Sequence, residues 1–288
     1  MWTNDTEIQF FRDALKIATP DKLFYRLNEI YYAFVPKKIS GLGATLQSRN
    51  SHIGNFAEKW AKDFFTPIAG KFGLHAVNTM RCDALGLTAK SEADLAFCTT
   101  EAKIQKPQNI KLIFEIKMSV VSNYQYIAPD TINYVGDYNS HKGIPALLRS
   151  DSMLKAAGKA IYLRSSCDEA TAIPILILCN SPITKGYAHK VDSLGHTGVV
   201  QGFWSLNPNP SESKHSDYVT QTTGGGFVTF SSAEEVEKSI EKLLQDEKVF
   251  FASRIPKSKL GEIIRIASAE KADVAKAEKF LSLIRSIK

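Results

Sequence analysis

A carboxylate and an ammonium group stand two residues apart in an otherwise apolar segment near the middle of the chain. Residues 111–118 read Lys-Leu-Ile-Phe-Glu-Ile-Lys-Met, and their β-branched and aromatic side chains predict a β-strand. Because side chains alternate across a strand, Glu115 and Lys117 share one face, and the opposite face is entirely apolar. The simplest interpretation is an ion pair on the solvated face of an antiparallel strand.

A second acidic segment upstream favours a chemical role instead. Residues 91–97 read Ser-Glu-Ala-Asp-Leu-Ala-Phe, which predicts another short strand with Asp94 opposite an apolar stripe. If the two strands are neighbours, Asp94 and Glu115 converge at one end of the sheet, with Lys117 beside them. Two carboxylates are hard oxygen ligands suited to Mg²⁺, which completes its coordination shell with water and phosphate oxygens.

With Asp94 followed, after about twenty residues, by Glu115-Ile116-Lys117, residues 50–180 resemble the PD-(D/E)xK nucleases. This superfamily includes most type II restriction endonucleases, and its proline before the aspartate is Ala93 here. The resemblance implies an α/β fold: a restriction-endonuclease-like core with a central mixed β-sheet flanked by helices, plus N- and C-terminal helical additions. It also implies that Asp94, Glu115 and the Ile116 carbonyl hold Mg²⁺, while Lys117 orients or helps deprotonate a water molecule.

The superfamily often adds a glutamate on the helix before the first catalytic strand, and Glu58 is the candidate here. A helix is predicted from residue 50 or 51 to about Phe65, with Pro67 as its stop. Its apolar stripe comprises Ile53, Phe56, Ala57, Trp60, Ala61 and Phe64. Glu58 lies off this stripe and could be a second catalytic and metal-binding carboxylate. The alternative is a solvated side chain paired with Lys62 at i+4.

The rest of the chain predicts one nuclease domain over residues 1–288. Its parts are an N-terminal helical region at 1–48, a catalytic core with DNA-reading insertions at 49–230, and a C-terminal helical region at 231–288. Within these parts we expect helices at 5–18, 21–34, 152–163, 236–244, 258–267 and 271–287, and strands at 73–79, 172–179 and 199–206.

Two polar segments could contact DNA: residues 40–50, and the tyrosine-rich stretch at 122–142, for which no regular element is predicted. Polar side chains in such segments can bond phosphates or base edges. The candidates are Gln47, Arg49, Asn123, Tyr124, Asn139 and Lys142. The alternatives are a plain surface loop and a loop packed by its own aromatic residues. Lys155 and Lys159, one helical turn apart, either touch phosphate or form a solvated face.

Composition bounds the function further. A hydrophobic content of 44% with 23% charged residues is typical of a globular protein, and no apolar run is long enough to span a membrane. The four cysteines lack Cys-x-x-Cys spacing, which argues for a reducing cytoplasm and against a zinc site. The net charge of +6 is compatible with a polyanionic partner.

The sequence therefore predicts a Mg²⁺-dependent type II restriction endonuclease that hydrolyses double-stranded DNA at a specific sequence. A chain of 288 residues leaves over a hundred beyond the core strands for reading bases. A homodimer is expected, because palindromic DNA matches two-fold protein symmetry. The alternatives are a DNA repair or structure-specific nuclease of the same superfamily, and a catalytically silent DNA-binding module.

Overall fold

The computed structural model describes residues 1–39, 46–210, 217–246, 249–251 and 255–286, which form two compact units, Met1–Lys248 and Val249–Lys288. Residues 40–45, part of the first predicted DNA-contacting segment, lie outside the described residues, as does the end of the last predicted helix at 287. Where described, the predicted C-terminal helical region divides between the units, because its first helix belongs to the first unit.

The first unit contains the helices α1 (Asn4–Leu15), α2 (Pro20–Leu23), α3 (Gln47–Lys71), α4 (Ser150–Arg164), α5 (Lys185–His196) and α6 (Ala233–Gln245). Its strands are β1 (Tyr25–Leu27), β2 (Ile30–Tyr32), β3 (His75–Met80), β4 (Ala93–Cys98), β5 (Ile110–Lys117), β6 (Asn123–Ile127), β7 (Thr131–Gly136), β8 (Ile175–Cys179), β9 (Ile183–Thr184), β10 (Gly202–Ser205), β11 (Tyr218–Val219) and β12 (Phe227–Thr229). In the second unit, α7 (Lys257–Ala267) packs against α8 (Asp273–Arg285).

The largest sheet among the described residues has six strands in the order β12-β10-β8-β5-β4-β3. β3, β4 and β5 run antiparallel to one another, whereas β5, β8, β10 and β12 are parallel neighbours. Parallel neighbours need a crossover connection, and α4 supplies one between β5 and β8. The predicted α/β class with a central mixed sheet flanked by helices is confirmed.

Helices cover both faces of this sheet because the central strands are apolar on both sides. Leu112 and Phe114 of β5 pack in the core formed with α3, where Phe65 stacks on Phe114 with ring centroids 4.7 Å apart. Ile113 points the other way, into a second core that includes Ala156 of α4. Burying each large apolar side chain contributes about 1.5–3 kcal/mol, so the two cores fix the three layers.

Residues 21–34 were expected to be helical, and this prediction is wrong. The helix ends at Leu23, and β1 and β2 form a hairpin around Asn28 and Glu29, both with positive φ. β2 then pairs with β6, and β6 with β7, in a four-stranded antiparallel sheet. Helical spacing of the apolar residues was a local signal, and pairing with a distant hairpin overrides it. The tyrosine-rich stretch is accordingly regular where β6 and β7 form.

The predicted stop at Pro67 is also wrong, because α3 continues through it to Lys71. A proline inside a helix removes one hydrogen bond and costs about 3 kcal/mol. Phe65, Ile68 and Ala69 on either side of it are buried in the core. Burial of this last turn offsets the cost of the proline.

None of the helices in the described ranges combines the length and the apolar composition needed to cross a bilayer.

A buried carboxylate ties α1 to the loop that follows β5. Glu7 is 1% exposed and accepts hydrogen bonds from the Trp2 indole at 3.0 Å and from the backbone N–H groups of Val121 at 2.8 Å and Ser122 at 3.1 Å. Burial raises the pKa of Glu7 from 4.5 to about 7, against the lowering effect of these donors. Burying a charge is unfavourable, so the folded chain holds a proton here that the unfolded chain releases.

We predict that the free energy of unfolding falls as the pH rises from about 4.5 to 7, by up to about 3 kcal/mol from Glu7 alone. The stabilising contribution is fully present below pH 4.5, because there both states are protonated, and it is lost above 7. Glu7→Gln removes this titration, so its unfolding free energy, measured with urea at several pH values, should have a flatter slope than that of the parent. Equal slopes would contradict the assignment, whatever constant offset the lost hydrogen bonds produce.

Candidate active site

The site begins where β4 and β5 stop pairing. The last paired residues are Leu95 and Phe114, and beyond them the carboxylate of Asp94 takes over as hydrogen-bond acceptor. Its Oδ2 accepts the backbone N–H of Ile116 at 2.6 Å. The side chain thus fills a position that a strand carbonyl would otherwise occupy, which fixes Asp94 next to the end of β5.

Glu115 lies beside Asp94 and between two lysines. Its side chain is only 8% exposed, with Oε1 contacting Nζ of Lys117 and Oε2 lying 2.5 Å from Nζ of Lys159. Lys159 also reaches Oδ1 of Asp94 at 3.4 Å and donates to the carbonyl of Glu92 at 3.0 Å. We refer to Asp94, Glu115, Lys117 and Lys159 as the charge cluster. In it, each oxygen of the two carboxylates faces a donor of the chain.

Two sets of contacts hold α4, and with it the backbone of Lys159, in place. Met153, Ala156 and Ala160 anchor α4 in the core on its side of the sheet. At the end of the helix, the buried guanidinium of Arg164 donates to the carbonyls of Val199, Ala170 and Ile173 and to Oε1 of Gln201. Because these acceptors precede β8 and β10, Arg164 fixes α4, and with it Lys159, relative to the sheet.

Burial and neighbouring charges act against each other in the charge cluster. Burial raises the pKa of Asp94, and the nearby charge of Glu115 raises it further, while both lysines and the Ile116 N–H oppose this. Burial alone would lower the pKa of Lys159, but the two carboxylates outweigh it and raise that pKa above its ordinary value. Opposed effects of this kind are typical of functional sites, although structural ion pairs show them too.

Glu58, the predicted helix-borne acid, lies on α3 at the edge of this cluster. Burial raises its pKa to about 7, and the charges of Asp94 and Glu115 contribute in the same direction. Its backbone carbonyl accepts a hydrogen bond from Asn78 of β3 at 3.1 Å, which holds this turn of α3 against the sheet. The structure therefore places Glu58 within electrostatic reach of the other predicted catalytic residues.

The donor set fits a magnesium ion in its simplest form. Among the described residues, no group of three or more His, Cys, Asp and Glu side chains is arranged to hold a metal ion. Mg²⁺, however, commonly needs only one or two carboxylates, with water and phosphate for the rest. Asp94 and Glu115 supply two, and the ammonium of Lys159 already lies between them as a cation. Ile116 directs its N–H toward Asp94, and its carbonyl contacts Lys117 Nζ at 3.3 Å.

A cleft of about 480 Å³ opens beside the charge cluster. It lies next to Ile116 and Lys117 and is bordered by residues from the first turns of α3 and α4. Arg149 and Lys155 contribute further positive charge to its lining, and Asp151 pairs with Arg149 at 2.8 Å. Its size is that of a small-ligand site, and its balance of charge favours an anion.

The predicted DNA-contacting residues divide into buried and accessible ones. Asn123 and Tyr124 are completely buried, and Arg49 is 5% exposed with its guanidinium on the carbonyls of Ala33 and Leu23. Asn123 and Tyr124 belong to the packed interior rather than to a DNA-contacting surface, whereas Arg49, although its guanidinium bonds these carbonyls, borders the cleft. The amide oxygen of Asn123 is used internally, because its Oδ1 accepts the Phe34 N–H at 2.9 Å.

The other three candidates remain accessible. Gln47 is exposed at the start of α3, and Lys142 is exposed with its ammonium on the carbonyl of Ile39 at 2.7 Å. Asn139 is half-buried and donates both its backbone and its side-chain N–H to Asp137. The structure does not bring Asn139 or Lys142 into the cleft lining.

Lys159 is the residue that the sequence analysis did not include in the site. It was considered only together with Lys155, as a phosphate contact or a solvated face. The helical wheel separates the two, because Lys159 lies three residues after the buried Ala156 and four before the buried Leu163. Its side chain is 22% exposed, against 75% for Lys155. A lysine flanking the buried stripe of a helix was the available signal.

We predict that Asn123→Ala lowers the free energy of unfolding by about 1–3 kcal/mol, because it leaves the backbone N–H of Phe34 without its acceptor in a part-buried position. Lys142→Ala, at an exposed position, is the control and should change stability by less than about 0.5 kcal/mol. Urea denaturation of both variants measures this. A stable Asn123→Ala protein with weakened DNA binding would restore the surface role.

Comparison with known proteins adds no relative from which a role could be transferred. No protein-family model matches the chain, and no curated protein or solved structure matches it either. The chemistry of the site therefore has to be inferred from the charge cluster, Glu58 and the cleft themselves.

Proposed function

We propose that this chain is a Mg²⁺-dependent nuclease of the PD-(D/E)xK type. The observation that carries the proposal is the proximity of Asp94 and Glu115, which come from adjacent strands and share Lys159. Lys117 contacts the carboxylate of Glu115. Glu58 stands close by on the preceding helix, as the resemblance to that superfamily implies. Residues separated by more than fifty positions in the chain thus converge, and one of them, Lys117, lines the cleft.

The chain's own groups divide the work of phosphodiester hydrolysis. Asp94, Glu115 and the Ile116 carbonyl would hold the metal, with Glu58 as a further carboxylate nearby. When bound, Mg²⁺ supplies stabilisation of charge on the scissile phosphate and lowers the pKa of a water molecule. Lys117, which lines the cleft, would orient that water and the phosphate. The half-buried setting strengthens each of these interactions, because fewer water dipoles screen them.

We further propose that the substrate is double-stranded DNA, cut as by a type II restriction endonuclease. The positive lining of the cleft suits a phosphate backbone. The second unit, residues 249–288, contains nine Lys and Arg against four Asp and Glu, so most of the net charge of +6 resides there. A homodimer acting on palindromic sites and a cytoplasmic location belong to the same proposal.

Two other functions fit parts of these observations. A repair or structure-specific nuclease would use the same charge cluster on a different DNA structure. A catalytically silent DNA-binding module would need only the positive surfaces, and the complete set of Asp94, Glu115 and Lys117 argues against it.

We predict that the purified chain with Mg²⁺ cuts a mixture of plasmids and phage DNA into discrete fragments, and that EDTA abolishes cutting. End sequencing of the fragments gives the recognition site. A smear would indicate a nonspecific or repair nuclease, and preferential cutting of branched substrates a structure-specific one. Binding of DNA without any cutting in Mg²⁺ or Mn²⁺ would support the silent module.

Asp94→Ala and Lys117→Ala should each reduce cleavage by at least about 100-fold, because one removes a metal ligand and the other the group that positions the water. DNA binding, measured by fluorescence anisotropy, should remain detectable in both. Lys111→Ala, an exposed lysine at the other end of β5, is the matched control and should cut normally. Parental cleavage by Asp94→Ala or Lys117→Ala would contradict these roles.

A further inference from the structure

Lys159 occupies the place between the two carboxylates where a bound cation would be expected. Its ammonium lies 2.5 Å from Oε2 of Glu115 and 3.4 Å from Oδ1 of Asp94. The other oxygens of these carboxylates are already used, by Lys117 and by the N–H of Ile116. A metal held by both Asp94 and Glu115 would compete most directly with Lys159, because this ammonium lies against both carboxylates.

An ammonium and a divalent cation cannot share these oxygens at contact distance without strong repulsion. Magnesium–oxygen distances are about 2.0–2.1 Å, so the two positive centres would be only a few ångströms apart in a half-buried site. The lysine, by contrast, is a flexible side chain with a mobile charged end. It can leave, whereas the carboxylates on β4 and β5 are fixed by the sheet.

We propose that Lys159 is an internal cation that holds the charge cluster together in the metal-free chain and is displaced when a divalent metal binds. Metal binding is then an exchange of one cation for another rather than the filling of a vacant site. Lys159 is thus a positioning residue that prevents repulsion between Asp94 and Glu115 and weakens the affinity for metal. This inference rests on the proposed function, because it takes the metal site to lie between these two carboxylates.

The exchange has two consequences with opposite signs. Without metal, removing the charge of Lys159 leaves two carboxylates close together with less compensation, so the fold is destabilised. With metal, the same change removes a competitor, so binding becomes tighter. If Lys159 were purely structural, its substitution would produce only the first effect. If it assisted metal binding, its substitution would weaken that binding.

The test is a titration of Mn²⁺ into the metal-free full chain without DNA, measured by isothermal titration calorimetry. Lys159→Met should bind Mn²⁺ about tenfold more tightly than the parent, and Lys159→Arg, which keeps the charge, should bind it about as weakly as the parent. Lys111→Met removes the same charge from an exposed side chain at the far end of β5 and should change the affinity less than twofold. Thermal unfolding in EDTA should show that Lys159→Met is less stable than the parent. Added Mn²⁺ should raise the melting temperature of Lys159→Met by more than it raises that of the parent.

The parent chain gives a second measurement should Lys159→Met fail to fold. The ¹⁵N signal of the Lys159 ammonium, which is held by three oxygens, should be visible without metal and should disappear or shift on addition of Mg²⁺. Unchanged or weaker Mn²⁺ binding by Lys159→Met, or an ammonium signal unaffected by saturating Mg²⁺, would overturn the inference. DNA cleavage is read separately. If the parent cuts DNA but these results fail, the proposed function stands without the exchange. If Lys159→Met binds Mn²⁺ more tightly but the parent never cuts DNA, only the exchange stands.

Discussion

Two carboxylates held next to each other in a half-buried position need positive charge, and this requirement organises the site. Asp94 and Glu115 are held near each other, because Asp94 accepts a hydrogen bond from the backbone of β5 and Glu115 belongs to that strand. The chain meets the requirement with Lys117 from the same strand and Lys159 from α4. The position of α4, fixed by its buried stripe and by Arg164, is therefore an electrostatic necessity as well as a matter of packing.

The sequence predicted the part of this site that depends on strand periodicity. Alternation alone placed Asp94, Glu115 and Lys117 on the correct elements, because a period of two determines the face of every residue in β4 and β5. It could not supply Lys159, whose role depends on which face of α4 meets the sheet. Separation of the strands beyond Leu95 was also invisible, since no local signal marks where pairing ends.

Composition gives the wrong prediction where long-range packing determines burial. Asn123 and Tyr124 occur in a polar, tyrosine-rich stretch that resembles a surface loop, yet they are buried because α1 and the β1–β2 hairpin cover them. The helix prediction for residues 21–34 is wrong for a similar reason, because β2 pairs with a strand over ninety residues away. The N-terminal region is thus part of the packed first unit, with Glu7 joining it to the end of β5, rather than an added helical segment.

A stable fold alone does not explain a half-buried group of four charges. Replacing buried ion pairs by apolar side chains of similar size often leaves stability unchanged or increases it, so such groups are poor stabilisers. Apolar side chains could have taken the positions of Asp94, Glu115 and Lys159, as they do at neighbouring positions of β5 and α4. That the chain instead brings acids and bases together there, beside an open cleft, is the physical reason for regarding the charge cluster as a site of chemistry.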